Sequence, residues 1–277
     1  MQADARGDAM AATCEDLLKV YGDGGREVVA LRGVGLDVPR ASMTAVVGPS
    51  GSGKSSLLRI LAGFDRPTAG RVLIGGVETT NLSASHVRAL RRRRIAYVFQ
   101  RPADNLVAYL SVAGHLRQAA RIRRRSRAWR QEAEEILEAL GLSARAAHLP
   151  HQLSGGEQQR AAFAAAVIAA PELVIADEPT GELDSEAGRA LLESVASLTS
   201  RGTAFVVATH DPAVVEAAGR TYHLRHGSIE AESTTERPLS VIDADGRVQL
   251  PPAWRDLFPD RRADIVVEGD GMRIVPP

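Results

Sequence analysis

Eight residues constrain this chain more than any others. Residues 48–55 read Gly48-Pro49-Ser50-Gly51-Ser52-Gly53-Lys54-Ser55 and follow directly on a β-rich apolar run at 43–47. A helical pattern, Ser56-Leu57-Leu58-Arg59-Ile60-Leu61-Ala62, comes next and stops at Gly63. The glycines let backbone N–H groups turn inward around phosphate oxygens, and the helix presents its positive end to them. Lys54 is placed to reach the β- and γ-phosphates of a nucleotide, and the Ser55 hydroxyl to bind Mg²⁺. Ser56 stands with these residues in the candidate nucleotide-binding set. A merely flexible Gly/Ser loop is the competing reading, and the strand before and the helix after argue against it.

The rest of the chain reads as strands alternating with helices, which points to a parallel sheet and an α/β fold. Short strands are expected at 28–31, 71–74, 95–99, 173–176 and 203–208. Ala133, Ile136, Leu137 and Leu140 fall on one face of a helix that Gly141 stops. A long alanine-rich helix runs up to the break at Pro171, and another helix occupies 185–199. With 277 residues, 44% hydrophobic and 25% charged, the chain can bury a substantial core and is neither fibrous nor disordered. Its longest apolar run, residues 161–170, is half of the roughly 20 residues a spanning helix needs. One cysteine, Cys14, allows no internal disulfide and no zinc-binding Cys cluster. Residues 1–12 lack the apolar stretch of a secretion signal.

Two further segments carry local signals. Ser154-x-x-Glu157 is a capping box that opens a helix, and Gly155 and Gly156 leave that helix start open to an anion. The apolar strand at 173–176 ends in two carboxylates, Asp177 and Glu178, at the edge where α/β proteins bind ligands. An acidic pair capping a turn is the alternative there.

Leu153-Ser154-Gly155-Gly156-Glu157-Gln158-Gln159-Arg160 closely resembles the signature sequence of ATP-binding-cassette (ABC) ATPases. The resemblance covers residues 13–228 and includes each expected motif in order. It implies a RecA-like P-loop nucleotide-binding domain with an antiparallel β subdomain and an α-helical subdomain at about 101–160. It further implies an ATPase that uses ATP and Mg²⁺. Residues 173–178 resemble Walker B, with Asp177 holding Mg²⁺ and Glu178 acting as general base. Gln100, after Tyr97-Val98-Phe99, matches the Q-loop glutamine, whose amide oxygen reaches Mg²⁺ or the attacking water. Pro179-Thr180-Gly181-Glu182-Leu183-Asp184 resembles the D-loop. His210 matches the switch histidine at the γ-phosphate, and Tyr21 the aromatic residue that stacks on adenine.

In that family two cassettes pair head to tail, so the resemblance implies a homodimer or paired cassette with Ser154, Gly155 and Gly156 closing over the partner's ATP. It also implies a separate integral membrane permease and a peripheral place on the cytoplasmic face of the cell membrane. Lys19-Val20-Tyr21, the phosphate loop, Phe99-Gln100 and residues 176–184 look most like the lipoprotein-release and macrolide-export class, which implies export or mechanotransmission. A switch that transports nothing, like the cell-division cassette, is the second reading. Where the class usually carries Glu-Asn, this chain has Ser111-Val112-Ala113-Gly114-His115-Leu116, on the segment that in the family meets the membrane partner.

Residues 1–12 are expected to be disordered, 229–238 to form a linker and 239–277 a separate β-rich module. Residues 241–251 with Trp254, Arg255, Leu257 and Phe258 resemble the swapped-hairpin module of AbrB-type proteins. Asp245-Gly246 reads as its hairpin turn. So small a unit is expected to pair with a second copy. Nucleic acid, through Arg247, Arg255, Arg261 and Arg262, is the less favoured partner for 239–277. The arginine runs at 91–94 and 121–130 read by default as solvated faces, with anionic lipid as the sharper alternative.

Overall fold

The structure, a computed structural model, describes residues 9–23, 26–123, 129–181, 183–234, 238–240, 264–268 and 271–275. Three short strands form its centre: β3 (Met43–Val47), β7 (Leu173–Asp177) and β8 (Ala204–Ala208). Nearly every residue in them is buried, as a parallel strand covered on both faces requires. With β6 (Ile95–Val98) they run parallel in the order β3-β8-β7-β6. On the other side of β3 lies β9 (Arg220–Arg225), also parallel. Strands β10 (Ser228–Thr234) and β11 (Pro238–Ser240) extend that edge antiparallel.

Alternation along these strands divides the interior into two cores. Val46, Leu173, Ile175, Ala204 and Val206 point to one side. There α1 (Lys54–Leu61) buries Leu57, Leu58, Ile60 and Leu61. A second, antiparallel sheet lies over that core, formed by β1 (Met10–Asp23), β2 (Arg26–Pro39), β4 (Ala69–Ile74) and β5 (Val77–Glu78) in the order β2-β1-β4-β5. The helix α2 (Ala84–Arg94) follows it. Ala45, Val174, Ala176, Phe205 and Val207 point the other way. They meet α3 (Val112–Ile122), α4 (Trp129–Ala139), α5 (Gly155–Val167) and α6 (Ser185–Ser200). Phe163 of α5 stacks on Phe205 with ring centroids 6.2 Å apart. The short α7 (Pro212–Ala217) follows β8.

The sequence reading needs correcting in four places. Residues 10–12 are not disordered: they begin β1, and Ala11 and Ala12 are buried against Ile74 and Val38. Residues 229–234 are not linker but the body of β10, where Ile229 is buried and Glu232 pairs with Arg220 at 3.1 Å. Their polar composition fits a strand near the sheet's rim, flanked by β9 and β11 and mostly half-buried. Arg123, assigned to a basic run, is an interior cap: its guanidinium donates to Ile168 O at 2.9 Å, and burial lowers its pKa to about 10. Beside it, Glu132 accepts from the Ala169 N–H at 3.0 Å, so two side chains finish α5 ahead of Pro171.

Of residues 239–277, expected as a separate module, Leu239 and Ser240 instead complete β11 and pair with Glu232 and Ala231 of β10. The other described part is the antiparallel hairpin β12 (Asp264–Glu268) and β13 (Gly271–Val275). The AbrB-like segment and the four arginines assigned to it lie outside the described residues. Cys14 is buried in β1, and burial with nearby Asp37 and Glu15 lifts its thiol well above the ordinary range.

The β3–α1 loop is seated by contacts only glycine permits. Gly53 adopts φ +108°, and a Cβ there would lie 2.5 Å from Ala30 O. Gly51 also has a positive φ, +77°, but open space around it. Gly53→Ala is therefore expected to destabilise the fold by about 1–3 kcal/mol through strain plus collision, and Gly51→Ala by less. Urea unfolding midpoints measure both, and equal losses would contradict the packing argument.

Candidate active site

Parallel strands β3, β7 and β8 end at the same edge, and each continues into a chemically loaded segment. After β3 comes the glycine-rich loop. Pro49, Ser50, Gly51 and Ser55 are exposed, Gly48, Gly53, Lys54 and Ser56 half-buried and Ser52 buried. The Lys54 ammonium donates to Gly48 O at 2.7 Å and Pro49 O at 3.1 Å. After β7 come Asp177 and Glu178. The Ser55 hydroxyl donates to Asp177 Oδ2 at 3.1 Å across the strand ends. Burial raises the Asp177 pKa, the Ser55 hydrogen bond opposes this, and the neighbouring Glu178 charge adds to it. Two hard oxygen donors side by side, one of them on a carboxylate held out of water, suit Mg²⁺.

Glu178 sits at φ +48°, with its N–H on Ala208 O at 2.9 Å. That strained backbone directs the carboxylate toward the end of β8. There Glu178 Oε1 meets His210 Nδ1 at 2.9 Å, and Oε2 accepts from the His210 N–H at 3.3 Å. The hydrogen bond to Glu178, followed by its charge, raises the His210 pKa. Thr180 donates to Asp211 Oδ2 at 2.8 Å, and so ties the segment after Glu178 to the one after His210.

Gln100 is exposed just beyond β6. Its loop is held by Asn105, whose side chain accepts from Phe99 N at 2.8 Å and donates to Phe99 O at 2.9 Å and Arg101 O at 3.1 Å. Further along, buried His115 accepts from Val107 N at 2.7 Å through Nε2 and faces Ser111 O at 2.8 Å through Nδ1. A carbonyl can only accept and a backbone N–H only donate, so the ring is neutral with its proton on Nδ1. Tyr21 lies on the antiparallel sheet, its hydroxyl donating to Asp65 Oδ2 at 3.1 Å and Lys19 Nζ 4.7 Å from its ring centroid. Asp65 is in turn gripped by Arg59 at 2.8 and 3.2 Å, which holds its carboxyl below the usual range.

Ser154, Gly155, Gly156 and Asp184 are not drawn into this cluster. Ser154 caps α5 in a reciprocal box with Glu157, whose pKa falls to about 2 under the Arg145 hydrogen bond and the Ser154 N–H. Its hydrogen bonds stay within residues 154–158. Asp184 caps α6 through the Ala187 N–H at 2.8 Å. Ser154, Gly155 and Asp184 are exposed.

A family model described as ABC transporter matches residues 31–181, more than half of the chain. The chain belongs to the ABC transporter ATP-binding family. Over 224 residues it is 41% identical to the lipoprotein-releasing system ATP-binding protein LolD of Bordetella pertussis, covering 80% of this chain and 96% of that protein. It is 39% identical over 227 residues to the macrolide export ATP-binding/permease protein MacB 1 of Aeromonas hydrophila, covering 78% of this chain. It spans only 33% of that longer protein. Among solved structures, the dimeric ABC transporter cassette MJ0796 is 34% identical with a TM-score of 0.75, covering 80% of this chain and 98% of that one. A post-hydrolysis dimer of MJ0796 bound to ADP and phosphate is 33% identical with the same TM-score. The ABC cassette fold, ATP as substrate, Mg²⁺ as cofactor and ATPase activity follow for this chain.

Sequence reasoning missed Asn105, His115, Asp65 and Arg59, none of which belongs to a motif. For His115 there was a signal, since it lies in residues 111–116, where the chain departs from the class's Glu-Asn. Burial lowers the His115 pKa below the ordinary 6.5, so the unfolded chain takes up the proton first. The stability this residue confers is complete above that pH and is lost as the pH falls toward the folded value. His115→Gln is expected to cost about 1–3 kcal/mol at pH 7.5. It should also flatten the fall in Tm between about pH 7 and 5.5. A wild-type Tm no more acid-sensitive than the variant's would contradict the neutral-imidazole assignment.

Proposed function

We propose that two copies of this cassette pair head to tail and enclose two ATP molecules. Each site combines Lys54, Ser55, Gln100, Asp177, Glu178 and His210 of one copy with Ser154, Gly155, Gly156 and Asp184 of the other. The observation that carries this reading is the exposed, capped start of α5, an anion site with no phosphate loop of its own chain bonded to it. The dimeric state of the 34%-identical MJ0796 cassette supports it.

In this reading the inward N–H groups of residues 48–55 and the Lys54 ammonium hold the β- and γ-phosphates, and Tyr21 stacks on adenine. Ser55, Asp177 and Gln100 hold Mg²⁺, which when bound neutralises charge developing on the phosphate oxygens. Glu178 accepts a proton from water as the water oxygen bonds to the γ-phosphorus, and the bond to the β–γ bridging oxygen breaks to give ADP and phosphate. His210 orients Glu178 and contacts the γ-phosphate. Positioning and charge supply the rate in such transfers. Loss of the γ-phosphate removes part of the dimer's glue, so hydrolysis shifts the population toward open cassettes.

No helix among the described residues is long and apolar enough to cross a membrane. We assign the cassette to the cytoplasmic face, driving a separate permease subunit in export or mechanical transmission. The lipoprotein-releasing and macrolide-export relatives support that direction. Residues 239–277 are read as a second dimerising element, which mass measurement of a chain truncated after residue 238 tests.

Glu178→Gln is expected to bind ATP, cut turnover roughly 10²–10⁴-fold and accumulate as a closed dimer in ATP. Hydrolysis at the wild-type rate would remove Glu178 as base. Mixing Lys54→Ala chains with Ser154→Ala chains should restore one intact site per mixed dimer. Turnover no greater than the sum of the two separate variants would contradict the shared site.

A further inference from the structure

Two arginine-bearing helices that are distant in sequence meet on the surface. Helix α2 carries Arg88, Arg91, Arg92, Arg93 and Arg94 and no carboxylate, and it has no buried residue. Helix α3 adds Arg117 and Arg121, again without a carboxylate. Ala89, Arg92 and Arg93 of α2 face Ile122 of α3 across a cleft of about 100 Å³. Arg88 and Arg92 lie one turn apart on α2, as do Arg117 and Arg121 on α3, so each helix presents a row of like charge.

Elsewhere in the chain arginine is commonly paired: Arg59 with Asp65, Arg71 with Glu15, Arg145 with Glu157 and Arg220 with Glu232. Part of the α2 run is engaged as well. Arg94 reaches Glu172 at 3.4 Å, and Arg91 lies over the Phe64 ring at 4.5 Å. Arg88, Arg92, Arg93, Arg117 and Arg121 are exposed and have no carboxylate partner among the described residues. The whole chain has a net charge of zero, so this is a local concentration. Favourable interaction with the helix dipole accounts for arginines in the last turn of α2 but not for Arg88 or Arg117. Rows of like charge on adjoining helices repel one another, and a neighbouring anionic surface relieves that repulsion.

We propose that the α2–α3 ridge docks on anionic lipid headgroups. Guanidinium groups bind phosphate oxygens bidentately, and several spaced along a ridge suit a sheet of headgroups. Ile122, the last residue of α3 and beside Arg92 and Arg93, is 42% exposed, an apolar contact for the interfacial layer. Neither helix carries a Phe, Tyr or Trp on which a nucleic-acid base could stack.

The test is flotation of the full-length chain with phosphatidylcholine vesicles made with and without phosphatidylglycerol. The wild type is expected to float with the anionic vesicles only, and less so as salt rises. The variant R92Q/R93Q/R121Q should lose roughly 100-fold in partitioning. A control of equal charge change, R32Q/R189Q/R201Q, should bind as the wild type does, and all three proteins should hydrolyse ATP alike. Equal binding to both vesicle types, or equal loss in the two variants, would overturn the proposal. So would tighter binding of the wild type to duplex DNA than to anionic vesicles at the same salt.

Discussion

The arrangement depends on parallel strands ending together. Strands β3, β8 and β7 are neighbours in register, so the loop after β3, the acids after β7 and the histidine after β8 come to one edge. The Ser55–Asp177 hydrogen bond and the Glu178–His210 pair are the direct result. Each joins residues far apart in sequence through strand pairing alone. The apolar packing on both faces holds that edge rigid, and the chemistry inherits its precision from the two cores.

This strand-end edge is strong on charge and weak on backbone comfort. Asp177 is a carboxylate kept partly out of water beside a second one, and Glu178 holds a left-handed φ. Both features oppose folding and are sustained by the surrounding strands. The signature helix contrasts with them. Its capping box with Glu157 and the Arg145 ion pair satisfy the local groups. What remains for a ligand is the exposed helix start, which fits a surface made to meet another molecule.

Much of this was legible in the sequence because it is contiguous. The phosphate loop, the Ser154 capping box and the strand ending in Asp177-Glu178 each occupy a few consecutive residues, where spacing alone indicates geometry. The doubly buried strands were legible too, as short runs rich in valine, isoleucine and alanine. What escaped depends on partners distant in the chain. Asn105 reads as an ordinary polar residue until the backbone folds around it. Arg123 stands in a basic run yet reaches inward to α5, because its partner carbonyl at Ile168 is 45 residues away. Residues 229–234 have the composition of a linker, and only pairing with β9 turns them into a strand. At the N-terminus, Ala11 and Ala12 carry too little apolar surface to announce a strand before β2 and β4 flank them.

The single cysteine has a practical consequence. Cys14 is shielded inside β1, and its thiolate is strongly disfavoured by burial and two nearby carboxylates. Maleimides and spin labels react with exposed thiolates. The natural chain is therefore a silent background for site-directed labelling. A reporter introduced on the exposed start of α5 or near the arginine ridge would give the molecule's only signal, with no native residue to remove first.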